Sequence, residues 1–183
     1  IIAQRAAETS IFAGTKIVEK SNALRAEDQN SIVGRILHHR YIVAAQTFIG
    51  QYFQNFSIKY LFIDGDDNLR HGSHLFGVLY YWEFFAVLVG LFAVVYIKAY
   101  AKTGKIILPW ILIAAIPVAL TTVSPHTLRF LPAAPAFSLL SAVGVGYLFE
   151  YIHKRWRKIA GIVFSAIVIA HVVAFTYTLF VIY

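Results

Sequence analysis

Long apolar stretches fill residues 75–183, and they constrain the fold more than any other feature of the sequence. Their approximate bounds are 75–97, 106–123, 131–152 and 159–183. Apolar residues make up 59% of the chain, against about 45–50% in a soluble protein. Because about 20 mostly apolar residues cross a bilayer as a helix, the sequence predicts an all-α integral membrane fold with four transmembrane helices.

The residue types that are missing exclude several kinds of site. The chain contains no cysteine and no methionine, which excludes disulfides, thiolate metal sites and cysteine nucleophiles. The first residue is Ile1, and no charged leader with a cleavage site opens the chain. We therefore expect the carboxy-proximal part of a longer protein. We assign the formal charge of +7 to basic residues on one membrane face, and we expect no nucleic-acid partner.

Basic residues in the short connections predict how the spans are oriented. Residues 98–105 contain three lysines, and residues 153–158 contain four Lys or Arg, whereas residues 124–130 contain Arg129 alone. Lys and Arg collect in short cytoplasmic loops, so we expect 98–105 and 153–158 in the cytoplasm. The chain is then a multi-pass protein of the inner (plasma) membrane with both of its termini extracytoplasmic.

Residues 1–74 form the predicted extracytoplasmic segment, which includes an amphipathic helix. Apolar residues recur there every three or four positions, at Val33, Leu37, Tyr41, Ala44, Phe48, Tyr52 and Phe56. This period predicts a helix over about 35–56 that lies in the outer membrane interface. The alternative is a helix that covers a small soluble domain.

Small residues recur every four positions in the third apolar stretch, at Ala134, Ser138, Ala142 and Gly146. Small side chains let a neighbouring helix approach closely. We therefore expect this stripe to face another helix of a bundle.

Two ionisable side chains fall within the apolar stretches. Glu83 lies about eight residues inside the first stretch, and His171 lies near the middle of the fourth. A charge at such a depth is expensive unless it is paired. We expect a structural bond from Glu83 to another helix, and a neighbouring helix that satisfies His171.

The most polar stretch of the chain is DGDDNLRHGSH, residues 64–74, and it directly precedes the first apolar stretch. Its opening matches an EF-hand calcium loop. However, Leu69 stands where that loop requires Gly, and Leu75 stands where it requires Glu. The EF-hand is therefore rejected.

Three interpretations of this stretch remain. Asp66, His71 and His74 are candidate ligands of a divalent metal, although no cofactor is required by the pattern. A solvated turn is the second interpretation, because Gly and Asn supply turn conformations. In the third, Arg70 and His71 pair with the phosphate of a lipid headgroup, for which arginine offers a bidentate geometry.

Two runs of sequence resemble bacterial membrane glycosyltransferases of the GT-C class, related to glycosyltransferase family 39. The first, over 52–83, has Gly65, Asp66, Asn68, Arg70 and His71 before an apolar stretch that carries Trp82 and Glu83. The second, SPHTLRFLPAAPAFSLLSAVGVG, has Pro125, His126, Leu128 and Arg129 before a helix rich in proline and alanine. Relatives of this class include the protein O-mannosyltransferases and the lipid A aminoarabinose transferases. The resemblance covers roughly residues 30–183.

The resemblance implies transfer of a sugar from a polyprenyl-phosphate carrier to an acceptor at the outer membrane face. The catalytic base of such enzymes is an acidic residue in an outer loop that would lie upstream of Ile1, so we expect no catalytic residue in this chain. The implied partners are the lipid-linked sugar donor, membrane lipids and the amino-terminal part of the same protein. The candidate substrate-binding residues are Asp66, Arg70, His71, His74, His126 and Arg129.

Two other classes of function stay open on the sequence alone. A transporter or channel module would use Glu83 and His171 as an ion path, and such modules carry internal repeats. The sequence contains no convincing repeat. A noncatalytic membrane scaffold is the other class, and it has no need of two cationic outer loops.

Overall fold

The computed structural model describes residues 10–12, 15–68 and 75–182, and within them the chain is helical. The helices are α1 (Thr15–Glu27), α2 (Ile32–Leu37), α3 (Arg40–Gln54), α4 (Glu83–Tyr96), α5 (Ala101–Ala119), α6 (Thr127–Phe130), α7 (Ala134–Tyr151) and α8 (Lys154–Tyr177). Shorter turns are π-helical at Lys59–Ile63 and Thr178–Ile182 and 3-10 at Leu131–Ala133. An isolated bridge joins Ser10 to Thr121. The prediction of an all-α fold is confirmed for the described residues.

Within the described residues, three helical segments are long and apolar enough to cross a membrane. They cover Ala101–Ala119, Thr127–Tyr151 and Lys154–Val181. The predicted stretches 106–123, 131–152 and 159–183 overlap these helices with shifted bounds. In each case the helix begins several residues earlier than the apolar stretch, because helical backbone continues into the polar connection.

The first apolar stretch differs from its prediction, because its helix begins at Glu83 instead of residue 75. With 14 residues, α4 is about 21 Å long. The preceding segment lies beside the π-helical turn instead: the Val78 amide donates to the Tyr60 carbonyl over 3.3 Å, and the Leu79 amide donates to the Leu61 carbonyl over 2.8 Å. Backbone donors that an added helical turn would use are therefore already taken.

Glu83 is consequently the first residue of a helix and does not lie eight residues inside one. One carboxylate oxygen accepts the Tyr80 amide at 2.9 Å, and the other lies 3.4 Å from the hydroxyl of Ser141 on α7. The expected bond between Glu83 and another helix is thus present. His171 differs from its prediction, because its Nδ1 lies 2.9 Å from the Ile167 carbonyl of its own helix.

The predicted amphipathic helix over 35–56 is broken in two. α2 ends at Leu37, and α3 begins at Arg40 after His39, whose ring nitrogen accepts the Tyr41 amide at 3.5 Å. Leu37 and Tyr41, predicted on the apolar face that lies in the membrane interface, are 52% and 62% exposed and pack little against the protein. The later part of that face packs against protein, since the Tyr52 hydroxyl donates to the Leu112 carbonyl of α5 over 3.0 Å.

Close packing of α4 against α7 forms the centre of the bundle. The two helices run parallel, as shown by the neighbouring pairs Glu83 with Ser141 and Phe92 with Tyr147. A methyl group at Gly144 would overlap the Ala86 carbonyl oxygen. The backbones are therefore too close for any side chain at this position.

The predicted stripe of small residues on α7 faces the wrong way. Ser138, Ala142 and Gly146 are exposed, and no atom lies within 4 Å of the position that a Gly146 side chain would occupy. The residues that face α4 include Leu140, Ser141 and Gly144, which lie on another side of the helix. The spacing of small residues therefore identified the helix that packs closely, but it did not identify the face of that helix that contacts α4.

We expect Gly144→Ala to destabilise the bundle by about 1–3 kcal/mol, because the added methyl group forces two backbones apart. The control is Gly146→Ala, where open space and the higher helix propensity of alanine predict no loss and a gain of up to about 1 kcal/mol. Reversible unfolding in mixed micelles measures both free energies. Equal stabilities for the two variants would contradict the packing described here.

Candidate functional site

A buried carboxylate joins two polar segments that are far apart in the sequence. Asp66 is 2% exposed. One of its oxygens accepts the Thr127 amide at 2.9 Å, and the other accepts the Asn68 amide at 3.0 Å. Because a buried carboxylate is costly without hydrogen bonds, these amides fix the loop that begins at residue 64 against the segment 124–130.

The π-helical turn holds the first of these segments in place. Tyr60, Leu61 and Phe62 are buried in the core. Gly65 follows with φ of 73°, which glycine adopts without strain, and a side chain there would approach the Phe76 carbonyl to 2.9 Å. Gly65 and Phe76 therefore lie next to each other at the edge of the core.

The second segment is held by the end of α3 and by an aromatic anchor. Asn55 is fully buried, and its amide nitrogen donates to the Gln51 carbonyl at 2.8 Å and lies 3.4 Å from the Ser124 hydroxyl. Phe130 is buried too, and its ring packs against Tyr60 with 6.0 Å between centroids. Residues between Ser124 and Phe130 are thus fixed at both ends.

Asp66 and His126 lie together in this site. The Nδ1 atom of His126 is 3.9 Å from a carboxylate oxygen of Asp66, and its side chain is largely buried. Burial, with a smaller contribution from the Asp66 carboxylate, raises the pKa of Tyr60 to about 12. The Tyr60 hydroxyl therefore loses its proton less readily than a solvent-exposed tyrosine.

Arg129 lies on α6, two residues after the amide that Asp66 holds. Its Nη1 atom is shielded from solvent and has no hydrogen-bond partner among the residues that the structure describes. A shielded guanidinium nitrogen without a partner is costly. An anion that reaches this nitrogen would remove the cost.

Only some of the predicted site residues lie in the described part of the structure. Asp66 and His126 come together, and Arg129 follows on the same fixed segment. Arg70, His71 and His74 lie outside the described residues. Both oxygens of Asp66 are engaged by backbone amides, so its evident role is to hold the loop. No three His, Asp or Glu side chains in the described part of the chain are grouped as metal ligands.

Two members of the site were not predicted from the sequence. Tyr60 lies in the mainly apolar segment KYLFI, where an aromatic residue is expected to be part of the hydrophobic core. Thr127 contributes its backbone amide, and every residue except proline carries such a group. The only signal for Thr127 was its place between His126 and Arg129.

No family model, curated protein or solved structure matches this chain. Fold alone does not define function, and helical bundles occur in proteins with many different functions. The function is therefore argued from the residues of the site.

We expect Asp66→Ala to lose about 1–3 kcal/mol of unfolding free energy, because two backbone amides lose their buried acceptor. Hydrogen exchange at the Thr127 amide should accelerate as well. Asp67→Ala is the matched control, since Asp67 is exposed, and it should change neither quantity. Slow exchange at Thr127 in the Asp66 variant would show that another group holds this segment.

Proposed function

We propose that this chain is the carboxy-proximal membrane part of a glycosyltransferase that uses a polyprenyl-phosphate-linked sugar. The observation that carries the proposal is the shielded guanidinium nitrogen of Arg129, which has no hydrogen-bond partner among the described residues and lies on a segment fixed to Asp66. The loop of Asp66 leads directly to Arg70 and His71 in the sequence. The resemblance of residues 52–83 and 124–146 to GT-C enzymes supports the same activity.

Sugar transfer from a lipid phosphate requires a cationic site at the outer membrane surface. When the sugar leaves its carrier, negative charge develops on the lipid phosphate, and fixed cationic donors stabilise it. An arginine forms two parallel hydrogen bonds to a phosphate. In our proposal Arg129 and Arg70 hold the phosphate, His126 and His71 assist, and Asp66 orients the loop. The catalytic base is supplied by the amino-terminal part of the protein.

We propose four membrane crossings, with α4 as the shortest. Its length of about 21 Å is completed by the segment 75–82, whose backbone is bonded to the π-helical turn at two positions. Non-helical backbone at membrane depth is tolerated where it is buried in protein. The basic connections 98–105 and 153–158 then face the cytoplasm, and the candidate site faces outside.

The interfacial element in this proposal is α2 instead of the whole region 35–56. Its apolar residues are more than half exposed: Ile32, Val33, Ile36 and Leu37. The helix is held firmly by α1, because the His38 carbonyl accepts hydrogen bonds from Ser21 and Arg25. A short, rigid apolar surface next to Arg35 and Arg40 suits the boundary between headgroups and acyl chains.

The geometry does not favour a transporter over this proposal. Glu83 is engaged by Tyr80 and Ser141, and His171 contacts a carbonyl of its own helix. An ion path would use such groups for the ion. We therefore keep the glycosyltransferase as the proposed function.

We expect Arg129→Ala, in the complete protein, to lower kcat/KM for the lipid-linked donor by a factor that corresponds to about 2–4 kcal/mol of lost transition-state stabilisation, as for a buried charge that loses its partner. Arg129→Lys should recover only part of the loss. Lysine keeps the positive charge, but it cannot form the two parallel hydrogen bonds of a guanidinium. Arg70→Ala should behave like Arg129→Ala. The readout is donor-dependent transfer, with thermal unfolding measured in parallel.

The control is Arg155→Ala, an exposed arginine at the other end of the bundle, which should transfer sugar at the wild-type rate. A folded Arg129→Ala protein with wild-type donor kinetics would overturn the proposed phosphate contact. An equal loss in all the variants would overturn it as well.

A further inference from the structure

The connections at the end of the bundle opposite the candidate site lie side by side. The Tyr100 hydroxyl, at the start of α5, donates to the Glu150 carboxylate over 2.5 Å. The Tyr100 ring also packs edge-on against Tyr147 of α7, with 6.1 Å between centroids. Arg157 of α8 donates to the Glu150 carbonyl over 3.1 Å. Residues 98–105 and 153–158 therefore form a single surface.

This surface carries a large unbalanced positive charge. Its cationic side chains are all exposed: Lys98, Lys102, Lys105, Lys154, Arg155, Arg157 and Lys158. Glu150 is the only acidic residue in the sequence after Glu83, and its carboxylate accepts the Tyr100 hydroxyl. None of the seven forms an ion pair with a carboxylate of the described residues. An anion from outside the protein would therefore reduce the repulsion between these cations.

Aromatic and apolar side chains border the same cations. Tyr151 is 72% exposed, and Trp156 is 54% exposed with the Arg155 guanidinium 5.5 Å from its ring centroid. Ile106 and Ile159 are exposed next to Lys105 and Lys158. Tyrosine and tryptophan favour the headgroup level of a bilayer, and exposed isoleucines suit acyl chains. The matching ligand has a negative head and apolar tails.

We propose that this surface is a binding site for an anionic phospholipid. The headgroup phosphate lies between the lysines of the α4–α5 connection and those at the start of α8, and the acyl chains run along the exposed sides of α5 and α8. A soluble polyanion would meet the same charges but would leave the isoleucines uncovered. The site is independent of the proposed transferase site, which lies at the opposite end of the bundle.

The test compares lipid retention by two charge-matched variants. The site variant combines Lys102→Gln, Lys154→Gln and Lys158→Gln. The control combines Lys16→Gln, Lys20→Gln and Lys59→Gln, which are exposed lysines away from this surface, and of which Lys59 lies 3.4 Å from the Asp64 carboxylate. Each protein is reconstituted in vesicles of phosphatidylcholine and phosphatidylglycerol in equal amounts, extracted in mild detergent, and weighed by native mass spectrometry.

Wild-type protein and the control should retain phosphatidylglycerol in preference to phosphatidylcholine. The site variant should retain at least about tenfold less phosphatidylglycerol, since each basic residue near the surface adds attraction to anionic lipid. Salt should release phosphatidylglycerol from the wild-type protein and leave phosphatidylcholine bound, because screening acts on the charged headgroup.

Three results would overturn the proposal. The first is unchanged phosphatidylglycerol retention in the site variant. The second is an equal loss in both variants, which would indicate general charge attraction. The third is equal retention of the two lipids by the wild-type protein.

Discussion

The hydrogen bond from the Thr127 amide to the buried carboxylate of Asp66 is the interaction on which the candidate site depends. It joins segments 61 residues apart at a point that solvent does not reach. Asp66 lies in a loop, and Thr127 is the first residue of the four-residue helix α6, so without the bond the two would belong to separate surface segments. With it, His126 and Arg129 take fixed positions relative to Asp66. The candidate site therefore exists only when the two segments are held together.

The contact between α4 and α7 separates this site from the cationic surface. The two helices pack with their backbones in contact at the glycines at 90 and 144. Because they run parallel, both begin near the candidate site and end near Tyr100 and Glu150. One end of the bundle then presents a fixed carboxylate with a histidine and an arginine. The other end presents seven cations that form no ion pair with a carboxylate of the described residues. These two chemistries suit a lipid-linked substrate at one surface and an anionic lipid at the other.

Sequence reasoning predicted the helices well where hydropathy alone decides them. It failed at residues 75–82, because an apolar segment packed against the π-helical turn has the same composition as a helix. It also failed at His38 and His39, where the break comes from a side-chain cap and contains neither proline nor glycine. Asp66 and His126 could be proposed from their residue types. The Thr127 amide could not, since a backbone donor has no signature in the sequence.

The most direct test of a single site made from two loops is cysteine cross-linking in membranes, which the absence of native cysteine makes specific. Asp67→Cys and Leu128→Cys place thiols at exposed positions next to the bonded pair Asp66 and Thr127. A short bifunctional thiol reagent should cross-link this pair efficiently. It should fail with the control pair Asp67→Cys and Thr103→Cys, which lies at opposite ends of the bundle. Absence of the first cross-link, or equal yields for both pairs, would contradict the account.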